Sequence, residues 1–586
     1  MEVTRLFDLL DYQLQNYPKE DCLAGKVNGQ WKKYSTQQVK DIATQVSLGL
    51  LELGIRKDDK VAIISYNMPE WNFVDFGIQQ IGAISVPIYP TITEADYKFI
   101  FDDSETKIIF VENEDLYIKA KNASKNNPNV KEIYTLRETP GRKHWKEVAE
   151  MGSKRNSSEL EPYKAAVKSD DLLTIIYTSG TTGTPKGVML THANIISNYK
   201  ACIPLMPIDH THRALSFLYL CHIYERMLCY LYMAIGASIY YAESMETIGD
   251  NLKEVRPHMF TTVPRLLEKV YDKIVTKGSE LKGIKRALFF WALNLGLRYN
   301  LQGGNGFFYD IQLALANKII FSKWRAALGG NIKAVVSGSA PLQPRLARVF
   351  WAARIPIMEG YGLTETSPVI SVNRVNPKEN RIGTVGPIID GIEVKIAEDG
   401  EILTRGPHVM KGYYKRPDLT EQVIDKDGWL HTGDIGEFVE GKYLKITDRK
   451  KEMFKTSGGK YIAPQVIENK FKESRFIEQI MVVGEGQKFP GALIVPAFDF
   501  LKSWCQQKGI PYTTDAEMIK NPQVLERYQK EVDTLNENFA QFEKIKKFVL
   551  MPRLWTIEDG ELTPTLKVKR KAITAKNQHL IDGLYA

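Results

Sequence analysis

Between Leu172 and Asn194 the chain reads LLTIIYTSGTTGTPKGVMLTHAN, a run of β-formers passing into a loop of Ser, Thr and Gly that closes on Pro185, Lys186 and Gly187. Glycines permit turns with φ > 0 that aim successive backbone N–H groups inward. The hydroxyls add donors and Lys186 adds a positive charge, so the stretch from Thr178 to Gly187 has the composition of a phosphate cradle. It is not a Walker A loop, which needs Gly, Lys and Ser or Thr in succession, because Lys186 stands between Pro185 and Gly187. A polar surface turn is the bland alternative. Against it stands the uninterrupted length of the Ser/Thr/Gly run directly after a strand.

Further segments follow in a fixed order: Ser337 to Leu342 (SGSAPL), Glu359 to Glu365 (EGYGLTE), Gly428 to Asp434 (GWLHTGD), Asp448-Arg449 with a basic pair after it, and Leu562 to Lys567 (LTPTLK). Together with the Ser/Thr/Gly loop they resemble, end to end, the signatures of the adenylate-forming superfamily, which holds acyl-CoA synthetases, luciferases and peptide-synthetase adenylation domains. The resemblance implies ATP, Mg²⁺ and CoA as cofactor and co-substrates. It implies that Thr178, Ser179, Gly180, Thr181, Thr182, Gly183 and Lys186 bind phosphate, with Thr181 and Glu365 toward the metal. Ser339, Ala340 and Pro341 then flank adenine, and Glu359, Gly360, Tyr361 and Gly362 hold adenine and the metal motif. Thr364 points to the α-phosphate, Asp434 to the ribose hydroxyls, and Arg449 and Lys451 mark the interdomain hinge. Gly458 and Lys460 belong to a loop for CoA, and Lys567 is the catalytic cation, with Lys569 two residues on as the alternative register. A carboxylate is a poor electrophile, so such an enzyme first converts it to a mixed anhydride with AMP, a reaction that asks the protein for positioning and charge neutralisation.

Residues 216–226 (SFLYLCHIYER) are similar to the segment that in fatty acyl-CoA synthetases usually reads Leu-Pro-Leu-Ser-His before an aromatic, Glu and Arg. Tyr219 replaces the Pro and Cys221 the Ser. His222 keeps the place at the carboxylate end of the acyl pocket, with a satisfied core histidine as the alternative. An amino-acid-activating domain would want an acid here for the substrate ammonium, and Ser216 to Tyr224 contains none. A long-chain fatty acid is the expected substrate. A medium-chain or aryl acid ligase is the alternative within the class, and a non-catalytic fatty-acid-binding or transport protein the alternative outside it. Retention of Glu365, Asp434, Arg449 and Lys567 together argues for chemistry.

The stretch 281–325 carries seven Lys/Arg against one Asp, and nine aromatics, including Phe289-Phe290-Trp291 and Phe307-Phe308-Tyr309. Ile284, Leu288, Trp291 and Leu295 follow helical spacing. Either it is an interfacial helix that lets the protein collect a fatty acid from a bilayer, or a core helix with a solvated basic rim.

Positioning these groups requires a layered scaffold. β-rich runs at Lys60 to Ile64, Lys107 to Val111, Leu172 to Thr178, Ser238 to Ala242, Lys333 to Val336 and Pro356 to Met358 alternate with helical patterns, which predicts an α/β fold with parallel sheets covered by helices. From Arg381 short strands joined by glycines predict a small β subdomain, and a helical pattern resumes near Pro464. The expected division is a large N-terminal domain, 1–447, with its β subdomain at 381–447, and a smaller mobile α+β domain, 448–586. Two orientations of that domain are implied by the resemblance.

At 44% hydrophobic and 25% charged residues the chain is too apolar for disorder. Its net charge of +8 suits ATP, CoA or an anionic membrane as well as nucleic acid, and no nucleic-acid partner is expected. Five cysteines without a C-x-x-C pair predict free thiols and a cytoplasmic location, with contact at the inner face of the membrane if 281–325 is interfacial. His210 and His212 read as a solvated loop. The uncharged run from Met227 to Ala242 predicts a buried helix and then a strand.

Overall fold

A computed structural model describes residues 2–179, 184–563 and 566–586. The apolar β-branched runs become strands buried on both faces, as parallel strands under helices must be. One sheet takes the order Gly412–Tyr413, Pro185–Thr191, Leu172–Ser179, Ile84–Ile88, Lys60–Ile64, Thr106–Val111, Glu132–Thr135. It is parallel from Leu172–Ser179 onward, and the hairpin of Leu172–Ser179 with Pro185–Thr191 makes its other side antiparallel. The second sheet runs Val369–Val372, Ile357–Gly362, Ala334–Ser337, Met259–Thr262, Arg213–Ser216, Ser238–Tyr241, Leu23–Val27, Gln30–Tyr34. Its six inner strands are parallel and its two ends antiparallel. Candidate residues cluster at the carboxyl ends of these strands: Ser179, Ser216, Ser337 and Gly362 each close one.

The run Met227 to Ala242 resolves into helix Ile223–Ala234, buried along its whole length, and strand Ser238–Tyr241. All five cysteines are free and buried. Among the described residues no helix is long and apolar enough to cross a membrane.

One sequence expectation is corrected, and one pair of alternatives is decided for the aromatic cluster. His212 does not lie in a solvated loop: it is buried, with its ring 4.4 Å edge-on to His258 and its Nδ1 accepting the Asp209 N–H. In 281–325 the aromatic cluster of helix Gly283–Leu297 points inward. Phe289 is 6% exposed, and Phe290 and Trp291 pack against the same core as Ala292, Leu293 and Leu295. Helical spacing identifies a stripe but not what covers it, and the stripe is split, with Leu295 buried and Ile284 and Leu288 exposed. The outward apolar residues lie mainly on helix Phe307–Ala316, where Phe307 is 74%, Phe308 79% and Ile311 52% exposed.

The chain divides into two compact units, Met1–Lys395 with Leu403–His431 and Val439–Leu444, and Ile396–Ile402 with Thr432–Phe438 and Lys445–Ala586. The second has its own core. Strands Ile477–Val483, Gly491–Pro496 and Lys547–Leu550 form a sheet with one antiparallel and one parallel pairing, packed by helices such as Pro464–Phe471 and Pro522–Asn536. A short hairpin, Phe454–Lys455 with Tyr461–Ile462, precedes it.

Candidate active site

In the first unit the site starts from the hairpin that carries the Ser/Thr/Gly loop. Thr178 pairs with Lys186 across its ladder and Ser179 with Pro185. Gly180, Thr181, Thr182 and Gly183 lie outside the described residues. The Lys186 ammonium stands 5.0 Å from the ring centroid of Tyr413, whose phenol donates to Glu365 Oε1 at 2.9 Å. Sequence reasoning had assigned Lys186 and Glu365 but missed Tyr413, the side chain in contact with both.

Glu365 sits in a single 3₁₀ turn, Thr364–Thr366, directly after strand Ile357–Gly362. Thr366 Oγ1 donates to Pro368 O at 2.6 Å, Ser367 Oγ to His408 O at 2.8 Å, and the Met410 N–H to Glu365 O at 2.8 Å, which fixes the turn from three sides. Gly362 is obligatory here, because a Cβ would lie 1.7 Å from Pro368 O. Thr364 is buried and Glu365 half-buried. Among the described residues no group of three or more His, Cys, Asp or Glu gathers to hold a metal. A single partly exposed carboxylate still fits Mg²⁺, a hard ion commonly held by one or two carboxylates and the substrate's phosphates.

Glu359, on the same strand, is buried, and the N–H groups of Leu342 and Gly383 hydrogen-bond to it. Burial outweighs those bonds and pushes its carboxyl up to about 8. Through Leu342 it is tied to the loop 337–342, in which Ser339 takes the left-handed conformation at φ 69° and Ala340 and Pro341 are exposed. Gly360, Tyr361, Gly362, Ser339 and His222 line a common cavity of about 50 Å³. Its remaining wall is apolar, including Cys202, Met206, Met227 and Leu228, and no Asp or Glu among the described residues borders it.

His222 caps helix Ile223–Ala234. Its Nδ1 accepts the Tyr224 N–H at 3.1 Å, which puts the ring proton on Nε2, the nitrogen that can donate to a carboxylate. The first turn of that helix is fastened to both sheets. Tyr224 donates to Val336 O at 3.1 Å, and Glu225, buried and pushed up to about 7 by desolvation, accepts from Thr261. Arg226, fully buried, donates to Asp75 at 2.5 Å, Ser85 at 2.8 Å, Thr174 at 2.9 Å and Tyr230 at 2.9 Å. Thr174 belongs to the strand Leu172–Ser179 and Val336 to the strand that runs into 337–342, so one helical turn is tied to both strands. The two departures are filled from nearby: Tyr219 lies 5.8 Å from Tyr66 and 5.4 Å from Tyr89, and the Cys221 thiol is buried.

The second unit gathers its own charged group. Asp434 is buried, with Arg449 Nε 3.4 Å from its Oδ1. Gly433 donates to Glu401 Oε1 at 2.9 Å, and Lys450 bridges Glu401 at 2.8 Å and Asp399 at 2.6 Å. Beside Asp434 and Arg449 stands the Lys567 ammonium. Burial lowers it to about 8, Arg449 adds to the fall, and Asp434 and Glu452 oppose it. The Lys567 N–H donates to Thr563 Oγ1 at 3.0 Å and the Thr563 N–H to Lys567 O at 2.8 Å. Lys569 instead heads helix Arg570–Lys576, its N–H on Glu561 O at 2.8 Å. Asp448 is buried, accepts the Arg449 N–H at 2.5 Å and is pushed up to about 7 by desolvation. Lys451 is exposed in the turn that follows. Gly458 and Lys460 are exposed near the tip of the hairpin, where the Lys460 ammonium lies 5.7 Å from the Phe542 ring centroid.

Residues 10–414 match the AMP-binding enzyme family, and residues 452–586 match the AMP-binding enzyme C-terminal domain. The chain belongs to the AMP-binding enzyme family. Among relatives of this AMP-binding enzyme, the long-chain-fatty-acid–CoA ligase FadD15 of Mycobacterium bovis is 33% identical, covering 95% of this chain and 93% of the relative. The peroxisomal long chain acyl-CoA synthetase 6 of Arabidopsis thaliana is also 33% identical, over 100% of this chain and 86% of the relative. The adenylation domain of a carboxylate reductase from Mycobacterium chelonae shares the fold, with a TM-score of 0.77 at 20% identity over 99% of this chain and 91% of that one.

Proposed function

We propose that this AMP-binding enzyme ligates a long-chain fatty acid to CoA with ATP, through an acyl-adenylate, releasing AMP and pyrophosphate. The observation that carries the reading is the apolar cavity lined in part by His222 and Ser339 and bordered, among the described residues, by no acid. Long-chain ligases similar to the chain over nearly its whole length support it. The cavity is small, and its Met206 and Met227 are unbranched side chains that can swing aside for an acyl chain.

In this reading Lys186 and the hydroxyls of Thr178 and Ser179, with Gly180 to Gly183, take the phosphates. Ser339, Ala340 and Pro341, with Gly360, Tyr361 and Gly362, frame adenine, and Glu359 holds the two segments in register. Asp434 accepts from the ribose hydroxyls while Arg449 orients it. His222 Nε2 donates to the acid's carboxylate and aims one oxygen at the α-phosphorus. Thr364 donates to the α-phosphate, and Lys567 neutralises the charge that develops there as pyrophosphate leaves. Glu365 and Thr181 would hold Mg²⁺, which when bound supplies further charge neutralisation to the phosphates. Gly458 and Lys460 then receive CoA, with the pivot at Lys451. Acid-dependent release of pyrophosphate from ATP without CoA tests the reading: palmitate should elicit about one equivalent per site. A non-catalytic binder releases none.

The outward apolar face of helix Phe307–Ala316, flanked by Arg298, Lys318 and Lys323, supports peripheral contact with an anionic bilayer. Changing Phe307, Phe308 and Ile311 together to Ser should move the protein from liposome-bound to free in flotation while sparing turnover of detergent-dispersed substrate. Unchanged flotation removes the membrane contact.

A further inference from the structure

We infer that Tyr413 is a positioning residue of the adenylation centre: its phenol presents the Glu365 carboxylate to a divalent cation, and its ring seats the Lys186 ammonium. The inference rests on the proposed role of Glu365 as a cation ligand and adds the side chain that orients it. The phenol takes Oε1 of Glu365 at 2.9 Å, which fixes the carboxylate plane and leaves Oε2 to the cation. Lys186 lies 5.0 Å from the ring centroid, within cation–π range. One side chain therefore sets both the anionic and the cationic group that a metal–triphosphate would meet.

Tyr413 is itself held on both sides. Gly412 and Tyr413 pair with Met189 and Val188 on the strand that carries Lys186, and the Tyr414 N–H donates to Gly187 O at 2.8 Å. The Tyr413 N–H donates to Thr420 Oγ1 at 2.9 Å, and three residues earlier the Met410 N–H reaches Glu365 O at 2.8 Å. Gly412 permits this route: its φ is 141°, and a Cβ would come 2.9 Å from Thr420 Cγ2. Tyr413 is buried. Partners that hydrogen-bond a metal-binding carboxylate typically control affinity by about 10- to 100-fold.

Mn²⁺ binding, followed by the electron paramagnetic resonance signal of the free ion in the presence of a non-hydrolysable ATP analogue, tests this. Tyr413→Phe should raise the Mn²⁺ dissociation constant about 10- to 100-fold, yet leave affinity for the cation-free analogue unchanged, since the ring still lies under Lys186. Tyr413→Leu, which removes the ring as well, should weaken both. If Glu365→Gln weakens Mn²⁺ binding and Tyr413→Phe does not, the inference is overturned while Glu365 keeps its role. If Glu365→Gln has no effect on Mn²⁺, the role of Glu365 falls and the inference with it.

Discussion

Lys567→Ala should slow formation of the acyl-adenylate by about 10² to 10³, the roughly 3 to 4 kcal/mol that a preorganised charge at a developing anion contributes. Transfer of a supplied acyl-adenylate to CoA should keep most of its rate, because no charge then develops at phosphorus. The ammonium lies beside Asp434 and Arg449, and burial lowers its pKa to about 8. A lysine acts as a cation only while protonated. The adenylation rate of the parent should therefore be level below that pKa and fall as pH rises through about 8, whereas Lys567→Arg, charged throughout, should lose that alkaline limb. Stopped-flow pyrophosphate release measures the first half-reaction and thioester formation from synthetic acyl-adenylate the second. A defect that falls equally on both halves, or that appears with Lys569→Ala instead, would reassign the catalytic lysine.

A second large effect concerns the polarity of the acid. The cavity that His222 lines is bordered, among the described residues, by no Asp or Glu, so an α-amino acid would bring an ammonium with no carboxylate to pair it. Leaving a buried charge uncompensated costs about 3 to 5 kcal/mol, on the order of 10² to 10⁴ in kcat/KM. Apolar burial acts in the same direction: each methylene taken from water is worth about 0.8 kcal/mol until the pocket is filled. Long-chain fatty acids should exceed leucine by at least about 10⁴ in kcat/KM for AMP formation, and activity should climb with chain length before it levels. Comparable adenylation of leucine and palmitate would defeat the assignment of the pocket.

These expectations draw on residues of very different visibility in the sequence. The strands around the site were legible because β-branched apolar runs such as KVAII at Lys60–Ile64 cannot be much else between helical patterns. The ordered signatures pointed to Lys186, Glu365, Asp434 and Lys567 one by one. What they could not show is who touches whom. Tyr413 reaches Glu365 across 48 residues of chain, and Arg226 reaches Asp75 across 151 and Thr174 across 52. Such pairings arise from packing, and no local pattern encodes them. The aromatic cluster at Phe289 shows the opposite limit, where composition left an interfacial and a core helix open and the neighbouring chain covers the ring: Gly278 lies so close that a Cβ there would come 2.1 Å from the Phe289 ring.

Oxygen tracing decides whether the reaction passes through an acyl-adenylate. When both carboxylate oxygens of palmitate are oxygen-18, attack of one on the α-phosphorus expels pyrophosphate and leaves that oxygen bridging acyl group and AMP. Attack of the CoA thiolate on the carbonyl carbon then breaks the acyl–oxygen bond, and the label departs with AMP. Mass spectrometry of the products should find one oxygen-18 in AMP per turnover and none in pyrophosphate. AMP without label, or ADP with labelled phosphate, would contradict the account.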